Sequence, residues 1–325
     1  MKNYRIFGSF VTKSPLSHIS EAISTVSYLV QEPILQPDGQ IEEVFCYNGN
    51  AWRGQLRDLA AQYLLEKLNI QVSLDAFHLL FSGGKIGGDQ SIDIAQARMM
   101  RKTVPMIALF GGGVGNQILP GKMKVGSSYP VCLEAIPALA EDKHMDALKV
   151  SYRALTMEKS FTRMDDSKKP DSIEYVSPID APQLENDGKS KKKDEVSTQM
   201  RMTSELIIPG VELAHEIDLV QVSEVELGAL VSAMHRFAQV PYIGGQSNRG
   251  HGRVSYQAKI VDSETGEVHD LIKVSSTGLP KLSGIAQQAK DSYDAHLQAQ
   301  YDAYLERKES EIRNLLGAPE CGSLF

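Results

Sequence analysis

The sequence predicts an α+β fold: one core of strands and helices, broken by two insertions and followed by a long terminal helix. Three observations predict it. Residues 211–219, with Leu213, Ile217 and Leu219 in step, have the period-two pattern of strands with one buried face, and so do Val254, Tyr256, Ala258 and Ile260. Residues 52–68 and 227–237 instead place apolar side chains every three to four positions, the stripe of a helix lying on a sheet. With 42% hydrophobic and 23% charged residues in 325, the chain also has enough apolar material to bury a core, which excludes a wholly disordered protein.

Taken in order, residues 4–11 alternate loosely and open the chain as a strand. Residues 44–47 form a short second strand, stopped by Asn48 and Gly49, and Asn50 is suited to cap the helix that follows. In that helix Trp52, Leu56, Leu59, Ala60, Tyr63, Leu64 and Leu68 form the apolar stripe, with Arg53 and Arg57 four apart near its start. Residues 63–106 are a helical insertion, containing Gly83, Gly84, Gly87 and Gly88 and a basic helical segment at 95–102. Segments 122–132 and 148–155 read as extended. From 157 to 201 apolar residues thin out, Pro170, Pro178 and Pro182 interrupt the chain, and Lys189, Lys191, Lys192 and Lys193 make a basic run: an excursion with no core of its own. Ser223 and Glu226 match a capping box ahead of Leu227, Leu230, Val231, Met234 and Phe237. Residues 282–316 carry a helical apolar period closed by Gly317 and Pro319. With the insertions removed, the order is strand, helix, strand, strand, helix, strand, the split βαβ or ferredoxin-like (RRM-like) plan. The predicted core is 1–62, 107–156 and 202–280, with a helical insertion at 63–106, an excursion at 157–201 and a C-terminal helix at 281–325.

Several function classes are excluded or disfavoured. No apolar run is long enough to cross a bilayer, and the N-terminus lacks a signal-peptide h-region. Three widely spaced cysteines without a CxxC argue against a disulfide scaffold or a cysteine zinc site, and fit a cytoplasmic setting. No HExxH or paired HxH occurs among eight histidines, so no metal or other cofactor is expected; His215, in an alternating strand, reads as a core or interface residue. A net charge of -7 means that any nucleic-acid surface must be local.

The segment that points to chemistry is the loop Gly244, Gly245, Gln246, Ser247, Asn248, Arg249, Gly250, His251, Gly252, Arg253. Four glycines allow close backbone approach to a ligand, and two arginines with polar neighbours supply phosphate and base-edge contacts. Two other glycine-rich stretches are not nucleotide sites. Residues 115–122 are one residue too long for a GxxxxGK loop, with Met123 where Ser or Thr would ligand magnesium, and 113–118 lacks the third glycine of a dinucleotide fingerprint.

The loop resembles the C-terminal glycine-rich signature of the RAMP superfamily, the RNA-binding proteins of CRISPR systems. Four further segments resemble that superfamily in the expected order: Thr12 to Ile19 its TxxPLHI segment with one extra residue, Asn48 to Arg57 its PGSSLKGxLR, Leu109-Phe110-Gly111 with Pro120 to Val125 its LFG…GRLxV, and Ile208 to Leu213 its PxGTxF. The layout, the helical insertion and the long terminal helix resemble the type IV CRISPR backbone subunit. Type III backbones place a cleaving aspartate before the first helix; the matching stretch here, 30–35, carries Gln31, with Glu32 beside it. A glutamine cannot act as metal-binding carboxylate or base.

The resemblance implies a non-enzymatic RNA-binding subunit that multimerises along CRISPR guide RNA, partnered by further copies of itself, other effector-complex subunits and a target nucleic acid paired to the guide. The expected backbone contacts are Arg53, Arg57, Lys122, Lys124, Gly245, Gln246, Ser247, Asn248, Arg249, Gly250, His251 and Arg253. The resemblance makes the 157–201 excursion a thumb reaching the next copy, with Phe161, Arg163 and Met164 as its wedge. The alternatives are a type III-like backbone that cuts target RNA, with His18 or Glu32 as the base, another RNA-binding subunit of the superfamily, or a scaffold that binds only proteins.

Overall fold

The computed structural model describes residues 1–85, 94–162, 201–274 and 278–305. The chain opens with β1 (Lys2–Thr12), β2 (Ile19–Ile23), β3 (Val26–Leu29), β4 (Gln31–Leu35) and β5 (Ile41–Phe45). Helices α1 (Gly49–Leu68), α2 (Leu74–Ser82), α3 (Ile94–Thr103) and α4 (Pro105–Phe110) follow, then β6 (Gly112–Val114), β7 (Gln117–Leu119), β8 (Met123–Val125) and β9 (Tyr129–Pro130). After the single turn α5 (His144–Ala147) come β10 (Thr156–Thr162), β11 (Arg201–Ile207), β12 (Glu212–Val222) and α6 (Glu224–Gln239). The described chain ends with β13 (Val254–Asp262), β14 (Val268–Val274), β15 (Pro280–Leu282) and α7 (Gly284–Leu305). This is an α+β fold.

The main sheet has the order β15-β14-β13-β1-β12-β8, with β9 also on β12. Strand β1 is flanked antiparallel by β12 and β13, with Gly8 opposite both His215 and Ala258. Alternation decides the faces. Ile6, Phe10, Leu213, His215, Ile217, Tyr256 and Ile260 are buried beneath the helices, whereas Arg5, Gln257 and Lys259 are exposed on the other side. Helix α1 lays Trp52, Leu56, Ala60 and Leu64 on that buried face. Phe10 is the hub, within 6.2 Å of the rings of Tyr47, Trp52, His215, Phe237 and Tyr256. His215 fits because Gly8 has no side chain: a Cβ there would lie 2.2 Å from its Nε2. Burial pushes the His215 imidazole down to about 3, so it is neutral, as a core histidine must be.

The capping box forms as predicted. Ser223 Oγ accepts from Glu226 N at 3.2 Å, and Ser223 N donates to the Glu226 carboxylate at 2.7 Å. Helix α7 crosses α6 so closely that a Cβ on Gly228 would meet Ala289 O at 2.0 Å.

The structure differs from the sequence reading in four places. The first helix is capped at Asn48, with no side-chain cap bond, rather than at Asn50, which lies inside it. Residues 44–45 end β5, which forms a hairpin with β4 apart from the main sheet. Much of segment 148–155 is not extended, because Tyr152–Leu155 closes into a 3-10 turn. The first residues of the excursion are instead strand β10, paired with β11, which runs parallel to β3 in a second sheet, β10-β11-β3-β2. Helix α7 begins after β15, and the rest of the predicted terminal helix, 306–316, lies outside the described residues, as does most of the excursion.

Candidate nucleic-acid interface

The glycine-rich loop joins α6 to β13 and is bonded along its length to the segment that follows β1. Gly245 N donates to Ser17 O at 2.7 Å, Gly252 N to Pro15 O at 2.8 Å, and Lys13 N to Arg253 O at 2.7 Å. Arg253 N donates to Ser14 Oγ at 2.9 Å. Two glycines make this approach possible. Gly244 has φ +71° and a Cβ there would lie 2.2 Å from Ser17 O; Gly252 has φ +80° and would meet Ile243 O at 2.1 Å. The loop is therefore a fixed platform on the edge of the core, not a free turn.

Residues 247–249 form a 3-10 turn that carries Arg249 outward, and its guanidinium lies 4.6 Å from the centre of the Phe161 ring. Phe161 belongs to β10, opposite Met202 on β11, so the loop and the base of the excursion meet. Burial, and after it the charges of Lys159 on the same strand and of Arg249, hold the His251 imidazole below its ordinary value. Arg201 is exposed on the facing strand, and Arg253 and Lys13 are exposed along the loop. Arg249, Arg253, Lys13 and Lys159 thus gather at this loop and ribbon with the Phe161 ring, whereas Arg201, whose Nη2 donates to Ser160 Oγ, projects from the other face of the ribbon. Such a site suits a phosphodiester chain: donors for phosphate oxygens and a π-face for a base.

The predicted contacts do not all gather here. Arg57 is only 6% exposed and its Nη2 donates to Phe110 O at 2.7 Å and Gly111 O at 2.9 Å. Its guanidinium sits 5.5 Å from the Phe110 ring centre, and burial with nearby Arg53 pushes it down to about 10. Arg53, half-buried, donates to the same Phe110 carbonyl. The pair satisfies the C-terminal carbonyls of α4, which have no partner within the helix. Arg57 is thus an internal strut rather than the RNA contact expected of it. Lys122 likewise turns inward, with Nζ 2.7 Å from both carboxylate oxygens of Glu226 in the capping box. Lys124 is exposed on the open face of the main sheet, beside a cleft of about 650 Å³ between that face and residues 138–143. Arg163 and Met164 lie outside the described residues. Lys159 and Ser17 belong to the site but were not anticipated; the alternation of Met157, Lys159 and Phe161 was the available signal for the ribbon.

Gln31 Nε2 donates to Tyr152 Oη at 3.0 Å. Glu32 points to the other side of β4, where its carboxylate accepts from the Tyr129 hydroxyl and from Ser127 Oγ at 3.3 Å. Among the described residues, no group of three His, Cys, Asp or Glu side chains is arranged to hold a metal ion.

No family model matches the sequence, and no curated protein matches it. Among solved structures, a chain of a type IV-B CRISPR complex aligns with a TM-score of 0.55 at 19% identity, over 78% of this chain and 90% of that one. The two chains share a fold. That likeness extends through most of both chains.

Proposed function

We propose that the protein is a non-catalytic guide-RNA-binding backbone subunit of a type IV CRISPR effector complex, and that its main sheet is the ferredoxin-like core of the RAMP superfamily. The observation that carries the reading is the fixed glycine-rich loop with Arg249 stacked on Phe161 at the root of the excursion. Supporting the core assignment, β13-β1-β12-β8 is the order in which the two strand–helix–strand units interleave, α1 between β1 and β8 and α6 between β12 and β13. The shared fold with a chain of a type IV-B CRISPR complex supports the type.

In this reading the loop arginines and Lys159 on the ribbon hold phosphates while base edges stay free for pairing with a target, as a variable guide requires. The excursion reaches a second copy and so propagates a head-to-tail filament. Glu32, engaged by two hydroxyls, is not set out as a general base, and Gln31 cannot be one.

The test is to express the full chain with a guide source and ask whether discrete RNA co-purifies as a multimer. The deletion of 167–197 should stay folded and monomeric; multimers from it would refute the filament. Labelled complementary RNA incubated with the loaded assembly and magnesium should remain intact, and regularly spaced products lost in Glu32→Ala would move the protein to the nuclease class.

A further inference from the structure

The cleft on the open face of the main sheet takes no part in the interface at the glycine-rich loop, and it has room for a ligand. Its volume is about 650 Å³, inside the range of about 300–1,000 Å³ typical of small-molecule sites. The floor is the face of β1, β12 and β13 turned away from the helices, and the 138–143 segment forms a wall above it. That wall is pinned in place, because Lys143 Nζ donates to the Glu212 carboxylate of β12 at 2.7 Å.

Three neighbouring side chains on the floor set its chemistry. Phe7 on β1 lies opposite Glu216 of β12 on one side and Lys259 of β13 on the other. All three line the cleft, Phe7 and Glu216 half-buried and Lys259 exposed. Directly opposed residues have Cβ atoms about 4.5–5.5 Å apart, so carboxylate, ring and ammonium stand in one row. The charges beside them are already paired. Arg5 bonds to Asp218 at 2.7 Å and comes only within 3.9 Å of Glu216, and Asp270, opposite Lys259 on β14, pairs with Lys273 at 2.5 Å. The remaining lining charges, Lys124 and Asp142, are exposed and of opposite sign. A ligand matched to the row has a hydrogen-bond donor at one end, a flat unsaturated ring in the middle and an anion at the other. The outer two strands are two strand spacings apart, roughly 10 Å, which a base with its sugar phosphate spans and a base or a phosphate alone does not. The base supplies the donor for Glu216 through an exocyclic amine, which adenine, cytosine and guanine carry and uracil lacks.

We propose that this cleft is a separate site for a nucleoside monophosphate with an amino-bearing base, the amine on Glu216, the ring on Phe7 and the phosphate on Lys259. The nucleotide is either free or one residue of an RNA strand, since both present the same groups. The site lies on the sheet face away from the helices, whereas the glycine-rich loop is bonded to the segment beyond the end of β1. It therefore goes beyond the guide-binding reading and does not rest on it.

The experiment titrates the full chain with adenosine 5′-monophosphate, uridine 5′-monophosphate and adenosine, read by calorimetry. The adenine nucleotide should bind about tenfold tighter than either of the others, the scale of one hydrogen bond to a charged group. Phe7→Leu should weaken it about tenfold, as loss of a stacking surface does. Lys259→Gln should bring it down to the affinity of adenosine, and Glu216→Ala to that of the uridine nucleotide. Lys259 is exposed, so its variant should keep the wild-type melting temperature and separate lost binding from lost fold. Displacement of the nucleotide by hexaadenylate RNA assigns the site to a strand, and a hexamer that does not displace it assigns the site to the free nucleotide. Wild-type protein that binds no adenine nucleotide, or binding that survives both Phe7→Leu and Lys259→Gln unchanged, would overturn the proposal. Multimers lost in Phe7→Leu with no nucleotide bound would also overturn it and give the cleft to a second copy. None of these titrations contains guide RNA, so a failure of the guide-binding reading leaves their outcome unaffected.

Discussion

Two pairs of arginines, Arg53 with Arg57 and Arg249 with Arg253, look alike in the sequence and have opposite roles in the fold. Both lie beside glycine and polar residues, four apart. Arg57 and Arg53 follow the start of α1, so helical geometry turns them toward α4, whose terminal carbonyls have no partner of their own. Arg249 and Arg253 sit on a loop bonded to the 13–17 segment, so their side chains have no helix end to serve and remain at the surface. The contrast teaches that a cation near a glycine-rich motif stays free to meet a ligand only where the backbone has already satisfied its own carbonyls. Where it has not, the arginine goes to them first.

The largest expected effect breaks the inner pair. Arg57→Met keeps much of the volume but leaves Gly111 O buried without a donor and Phe110 O with Arg53 alone, and should destabilise the fold by about 2 kcal/mol. Chemical denaturation reads the loss as a lower midpoint, while RNA affinity per folded molecule should hold. A variant of native stability that binds RNA poorly would reverse the assignment and return Arg57 to the interface.

The second test compares the histidines of the two regions. His215 is sealed between Phe10 and Tyr256, and burial holds it at about 3. An unfolded histidine titrates near 6.5, so between these values the unfolded chain binds the extra proton. Stability is therefore full above about pH 6.5 and falls as pH drops toward 3, by about 1.4 kcal/mol per pH unit from this residue. His215→Phe should flatten that slope in melts between pH 7 and 5; an unchanged slope would assign it to other groups. His251 is also held low, but at a partly solvated loop beside Lys159 and Arg249. Acid should charge it and strengthen RNA binding over the range in which the core weakens.

How much of this was legible in the sequence follows the same division. The capping box of Ser223 and Glu226, the strands at 211–219 and 254–260 and the two helix stripes depend on neighbours within a few residues, and all form. The glycine-rich loop was legible because glycine at Gly244 and Gly252 has a local backbone cause. The ribbon strand β10 was not, because its partner β11 lies some forty residues away across an insertion whose composition hides both ends. Nor was the fate of Arg57 and Lys122, since it is set by α4 and Glu226, distant in sequence and close only after folding.

A third test acts on the outer pair. Arg249→Glu lies on an exposed loop, so stability should change by no more than about 0.5 kcal/mol. RNA affinity should fall about tenfold at low salt, alike for unrelated sequences, with a shallower dependence on salt than wild type. An effect confined to one sequence would mean base readout at this position. Retained affinity would favour a scaffold that binds proteins only.

The smallest effect asks what holds Arg249 in place. Its guanidinium has the half-buried Phe161 ring 4.6 Å beneath it, and a cation over an aromatic face that water still reaches is worth about 0.5–1 kcal/mol. Phe161→Leu removes the π-face but keeps an apolar side chain on β10, so the arginine loses its orientation without losing its charge. Affinity should fall about two- to fivefold, the same energy expressed as a binding constant. Phe161→Tyr preserves the ring and should bind like wild type. The double variant Phe161→Leu with Arg249→Glu decides how the ring works. If its only role is to orient the guanidinium, the double variant should bind no worse than Arg249→Glu alone, because there is no cation left to orient. If the losses add, Phe161 contacts RNA in its own right as a stacking surface, and the boundary of the interface moves from the loop onto the ribbon.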